Sequence, residues 1–110
     1  MKQYRQGDVF VEQVRKREPQ GTAVIDRGRV ILAYGEVTGH AHEVIAAVPA
    51  IDDLPPAQLF EEPDGTRYLF VERACVLTHQ EHGPIALAPG SYKVSRQREY
   101  SPEAIRTVAD

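Results

Sequence analysis

Proline and glycine, eight of each in 110 residues, cut this chain into short segments, and those segments are rich in valine, isoleucine, tyrosine and phenylalanine. Such punctuation and composition favour strands over helices. The first expected strand is Asp8 to Val14, with Val9 and Val11 on one face, ended by Arg15-Lys16-Arg17 and Glu18-Pro19-Gln20-Gly21. Thr22 to Asp26 and Arg29 to Tyr34 flank Arg27-Gly28, a spacing that predicts a hairpin with a tight turn. A further strand runs from His42 to Ala47. Residues Val48 to Ala57 contain Pro49, Pro55 and Pro56, too many lost amide donors for a central strand, and read as a loop.

The clearest local signal lies downstream. Leu59 to Glu62 and Arg67 to Arg73 are joined by Pro63-Asp64-Gly65-Thr66, where Asp-Gly supplies the backbone angles of a hairpin turn. The run Ala74 to Leu77 extends to Thr78, Gly83-Pro84 breaks it, and Ile85 to Ala88 leads to a Pro89-Gly90 turn. The strand Ser91 to Tyr100 follows, with Tyr92, Val94, Arg96 and Arg98 sharing a face if it stays straight. Ser101-Pro102-Glu103 resembles a helix start, although a short terminal turn or strand fits the remaining residues equally. These segments predict one domain over residues 1–110. It is all-β or mostly β, a small antiparallel barrel or compact sandwich, with a short helical turn as an option at the C-terminus.

Composition narrows the setting. With 42% hydrophobic and 26% charged residues the chain has the make-up of an ordinary water-soluble protein, and no apolar run approaches membrane-spanning length. The segment Met1 to Gly7 lacks the apolar stretch of a secretory signal, and Cys75 is the only cysteine, so a cytoplasmic location is expected and an internal disulfide is impossible. A formal charge of −3 gives no global attraction to nucleic acid, although Arg15-Lys16-Arg17 and Arg96-Gln97-Arg98 could form local basic patches.

All four histidines fall in two clusters, Gly39-His40-Ala41-His42-Glu43 and Thr78-His79-Gln80-Glu81-His82-Gly83. A His-x-His pair on an extended strand presents both imidazoles on one face, and the second cluster can supply ligands from a neighbouring segment. His40, His42, His79 and His82 are therefore the candidate ligands for a divalent transition metal such as zinc, iron, manganese or nickel. Glu43 and Glu81 could add a carboxylate ligand, orient an imidazole or act as a general base. Without nearby cysteines, a nitrogen or nitrogen–oxygen centre with an open position points to catalysis rather than to a structural zinc site.

Two other readings stand beside this one. Histidines can cap strand ends and bond loop backbone around Gly39, Gly83 and Pro84 without any metal. Alternatively, one histidine acts as base and another as acid while Arg96 or Arg98 holds a phosphate, which would suit an RNA or nucleotide phosphodiesterase. Small-molecule or nucleotide and RNA substrates, no membrane, and a homo-oligomer are the partners considered; a non-catalytic oligomeric accessory protein is the third class. Cys75 lies in an apolar run and reads as a buried, inert thiol.

The blocks Gly35-Glu36-Val37-Thr38-Gly39-His40-Ala41-His42, Thr78 to Ile85 and Arg96 to Tyr100 resemble a family of small bacterial and phage-associated proteins, from Gln6-Gly7-Asp8-Val9 to the C-terminus. That resemblance strengthens the site residues and names no reaction. The His-x-His pair followed by a later histidine among short strands is similar to the metal site of cupins, small β-barrels in which histidines and a glutamate hold a metal. Pro89-Gly90 departs from the cupin pattern by following the second cluster. Asp64 to Val71 is similar to a strand region of the small co-chaperonins, with no counterpart of their mobile loop.

Overall fold

The short strands between prolines and glycines assemble into two antiparallel sheets packed face to face. The computed structural model describes residues 2–15, 18–35, 38–48 and 55–96. Among them are ten strands and no helix: β1 (Gln3–Gln6), β2 (Val9–Val14), β3 (Thr22–Ala23), β4 (Val30–Tyr34), β5 (Ala41–Ala46), β6 (Ala57–Glu61), β7 (Arg67–Val71), β8 (Cys75–Thr78), β9 (Ile85–Leu87) and β10 (Gly90–Arg96). The first sheet runs β1-β2-β10-β7-β6-β3 and the second β4-β5-β8-β9. The all-β expectation holds, and of its two architectures the sandwich is the one formed, since the sheets do not close into a barrel. The expected C-terminal turn and residues 97–100, including Arg98, lie outside the described residues.

Alternation decides which side chains fill the space between the sheets. Val9 and Val11 of β2, Tyr92 and Val94 of β10, Leu69 and Val71 of β7 and Ala57 and Leu59 of β6 meet Leu32, Val44, Cys75, Leu77 and Leu87 from the other sheet. Burying a side chain of valine or leucine size contributes roughly 1.5–3 kcal/mol each, so this layer supplies the main driving force. Tyr92 satisfies its hydroxyl by donating to the Ala88 carbonyl at 2.6 Å.

Three local readings change in the structure. The first strand starts at Val9 and is preceded by β1, which sequence inspection passed over; Gly7-Asp8 makes a two-residue hairpin loop with positive φ at Gly7 (+59°). Glycine in the first loop position is what the II′ hairpin turn requires. The Arg27-Gly28 turn forms as expected, with positive φ at both residues, but it closes only the single Asp26–Arg29 bridge. Its arms then part: β3 pairs with β6 in one sheet and β4 with β5 in the other, so the turn is a corner between the sheets. Finally, β6 begins at Ala57, inside the stretch read as a loop, while residues 49–54 of that stretch lie outside the described residues.

The Asp64-Gly65 hairpin matches its sequence signal. Gly65 has φ +90°, the Thr66 amide donates to Asp64 Oδ1 at 2.9 Å, and β6 pairs with β7 from Glu61↔Arg67 onward. A bulge between Ile31 and Ala33 lets β4 bury both Ile31 and Leu32. Antiparallel pairing then brings the Gly7-Asp8 turn, the last residues of β4 and β10, the first of β5 and the β8–β9 loop to one end of the sandwich.

Candidate functional site

The two histidine clusters meet at that end. His42 enters on β5, whose side chains alternate, so His42 and Val44 point inward while Glu43 and Ile45 point out. His40 precedes the strand, and His79 and His82 come from the loop after β8. The His79 ring is the hub: its centroid lies 4.3 Å from that of His42, 4.7 Å from His82 and 5.5 Å from His40. Gln80 closes the loop onto β5 by accepting the Ala41 amide at 2.9 Å.

Two glycines make room for this packing. A Cβ on Gly7 would stand 2.8 Å from His82 Nε2 and 3.3 Å from His42 Cε1, and one on Gly35 would stand 3.1 Å from His79 Nε2 and 3.0 Å from His40 Cβ. The backbone therefore approaches the imidazoles closely from β4 and from the β1–β2 turn.

Hydrogen bonding fixes the chemistry of His42. The Gln6 side chain is buried, and its amide nitrogen donates to two backbone carbonyls, Leu77 O and Gly83 O, both at 3.0 Å. Both amide hydrogens are thereby used, and Oε1 is left to face His42 Nδ1 at 2.8 Å. An amide oxygen only accepts, so Nδ1 carries the hydrogen and the neutral ring presents a bare lone pair at Nε2. That Nε2 faces Asp8 Oδ1 at 3.6 Å.

Electrostatics keep the two partners in those states. Burial, then the neighbouring His79, push the His42 imidazole down to about 4, against the pull of Asp8. Burial opposes ionisation of Asp8, but the Arg96 guanidinium hydrogen-bonded to it outweighs that effect and holds the carboxyl below its ordinary value. His79 is also lowered, by burial first and then by His82 and His40. At neutral pH an uncharged imidazole thus faces an ionised carboxylate.

The other expected site residues fall out differently. Arg96 reaches the cluster through Asp8 and donates its second nitrogen contact to the Tyr34 carbonyl at 3.0 Å. Glu81 lies at the rim, Oε1 at 3.9 Å from His40 Nδ1, and its backbone amide donates to His79 Nδ1 at 3.0 Å. Glu43 is not brought to the imidazoles: its carboxylate accepts from two guanidinium nitrogens of Arg29, Nη2 at 2.9 Å and Nε at 3.1 Å, on the outward face. Sequence reasoning missed Gln6 and Asp8. Their signal was the Gly7 turn, which places the residues on either side of it at the sandwich end. Among the described residues, no three His, Cys, Asp or Glu side chains stand together in the coordination geometry of one ion.

No helix among the described residues is long and apolar enough to cross a membrane. No curated protein and no solved structure matches the chain. A family profile does match, over residues 5–97, which takes in the Gln6-Gly7-Asp8 turn, both histidine clusters and Arg96. On that coverage the chain belongs to the family described as a domain of unknown function, DUF8820.

Proposed function

We propose that this end of the sandwich is a transition-metal centre built on His42 Nε2 and the Asp8 carboxylate, with His82 as third ligand. The observation that supports the reading is the lone pair of His42 Nε2 facing the ionised Asp8 carboxylate at 3.6 Å, two acceptors turned toward each other. A cation resolves that juxtaposition. A proton would do so as well, but the depressed basicity of His42 disfavours the imidazolium at neutral pH. The Gln6 contact matches the outer-shell hydrogen bond by which metal-binding histidines hold their tautomer.

His82 is exposed at the rim, its Nε2 2.8 Å from where a Cβ on Gly7 would stand, and ligation by it requires a change of side-chain rotamer toward Asp8. Three nitrogen and oxygen ligands suit zinc, iron, manganese or nickel and leave positions open for water and substrate, the pattern of a hydrolytic centre. Elemental analysis of freshly purified, untagged protein tests this directly. Near-stoichiometric metal is expected, lost in His42→Ala and in Asp8→Ala; metal retained by folded His42→Ala would sink the assignment.

The placement of Arg96 beside Asp8 favours one second reading, metal-free acid–base catalysis on a phosphodiester. Its signature is cleavage of RNA or a nucleotide that survives chelation and disappears on Arg96 substitution.

A further inference from the structure

Every phenylalanine of the chain lies outside the core. Valine, leucine, Ala57, Cys75 and Tyr92 fill the space between the sheets, whereas Phe10, Phe60 and Phe70 occupy the alternate positions of β2, β6 and β7 and are half-buried. Strand alternation puts them on the outward face of the six-stranded sheet. Tyr68 joins them, because it stands opposite Phe60 across β6 and β7, and directly opposed residues share a face. The Phe60 and Phe70 rings meet edge to face with centroids 5.8 Å apart. Single surface aromatics are ordinary, but a contiguous group of them marks a binding surface.

Cations are set among these rings. Lys93 on β10 is exposed and stands directly opposite Tyr68; Arg5 on β1 stands opposite Phe10, its guanidinium carbon 5.5 Å from the ring centroid. Glu12, opposite Lys93, is the remaining ionised group that the strands of this sheet turn outward, and it accepts from Gln3 Nε2 at 3.0 Å. Stacking the face on a second copy would set two Lys93 and two Arg5 against two Glu12, an excess of positive charge in a contact that withdraws water. A partner that is itself anionic and carries flat rings meets both features at once.

We infer that the outward face of the six-stranded sheet binds single-stranded nucleic acid, whose bases stack on Phe10, Phe60 and Tyr68 while Lys93 and Arg5 meet its phosphates. Stacking on protein rings needs exposed base faces, which a single strand offers and a duplex keeps inside its own stack. The binding surface lies on the sheet rather than at the histidine end, and it stands without the metal centre.

Fluorescence anisotropy of a labelled oligothymidylate, measured on the full chain with a chelator present, tests the assignment apart from any metal. The single strand should bind, and the same oligonucleotide annealed to its complement should bind roughly tenfold more weakly or worse. Phe60→Leu and Tyr68→Leu keep apolar bulk but lose the ring, and each should weaken the single strand about tenfold. Lys93→Gln should weaken it too and reduce the slope of log affinity against log salt by about 0.7, the loss of one phosphate contact. Ile45→Ala, on the outward face of the other sheet, should leave the affinity at the wild-type value. Absence of binding by the wild type, or equal binding of single strand and duplex, would overturn the inference. Wild-type affinity in Lys93→Gln, or in both ring variants with native amide spectra, would overturn it as well. A wild-type dimer in sedimentation that is lost in Phe60→Leu would give the face to a second copy instead.

Discussion

Gln6 Oε1 accepts the hydrogen of His42 Nδ1 across 2.8 Å, while the amide nitrogen of the same Gln6 is held by the carbonyls of Leu77 and Gly83. One buried side chain thus joins the β1–β2 hairpin to β5 and to the loop carrying His82. Replacing Gln6 by leucine keeps the volume but strips partners from two carbonyls and one imidazole N–H. Each such group costs about 1–3 kcal/mol when it stays buried, so the variant should unfold at clearly lower urea than the wild type. In the folded fraction, metal affinity should fall roughly 10–100-fold, as for other outer-shell partners of ligating histidines. Wild-type affinity in Gln6→Leu would mean that the His42 tautomer is not set by this contact.

Gly7 and Gly28 separate backbone cost from site cost. Both have positive φ, +59° and +78°, so alanine at either is disfavoured by about 1 kcal/mol. Only Gly7 also has an imidazole in the way, His82 Nε2 at 2.8 Å from the added carbon; Gly28 has nothing within 4 Å. Gly28→Ala should lower stability and leave the histidine resonances in place. Gly7→Ala should lower stability and shift the His82 and His42 ring signals. Equal histidine spectra in the two variants would show that the close approach at Gly7 is relieved without disturbing the cluster.

Local signals in the chain carried the fold, and distant ones built the site. The Asp64-Gly65 turn, the alternation of Val9 and Val11 and the spacing within each histidine cluster all depend on residues a few positions apart or on a single shared face. Gln6 is different: it is a buried polar residue whose two acceptors lie 71 and 77 positions away, and nothing near it in sequence announces them. Asp8 reads as the polar start of a strand until β10 sets Arg96 opposite Val9. Glu43 stands next to His42 in sequence, yet the strand period of two that turns His42 inward turns Glu43 to the opposite face, where Arg29 binds it. Proximity in sequence misled there because a strand separates neighbours.

Cys75 gives an internal reporter of global opening. Its side chain lies in the core between the sheets, and burial pushes the thiol up to about 11. The thiolate is the reactive form, so native protein should resist thiol reagents at neutral pH and become labelled only on unfolding. Labelling rates measured across denaturant should follow the unfolding equilibrium. Fast labelling of native protein would show that β8 opens independently of the rest of the core.

Acid should destabilise the metal-free protein in two overlapping steps. His42 binds its proton near pH 4 when folded but near its ordinary 6.5 when unfolded. Between those values the unfolded chain holds more protons, so stability rises with pH in that window and is fully present above about 6.5. His79, lowered in the same direction, adds to the slope. Asp8 acts further down: its folded value lies below the ordinary 3.8, so its contribution is present above that value and is lost as pH falls through the folded one. Urea midpoints taken from neutral pH downward should therefore decline before the carboxylates begin to titrate, and the upper part of the decline should shrink in a His42→Gln variant. A midpoint that stays flat down to pH 4.5 or so would mean that His42 is free to protonate in the folded protein. In that case a proton, rather than a metal, would bridge the His42 ring and Asp8.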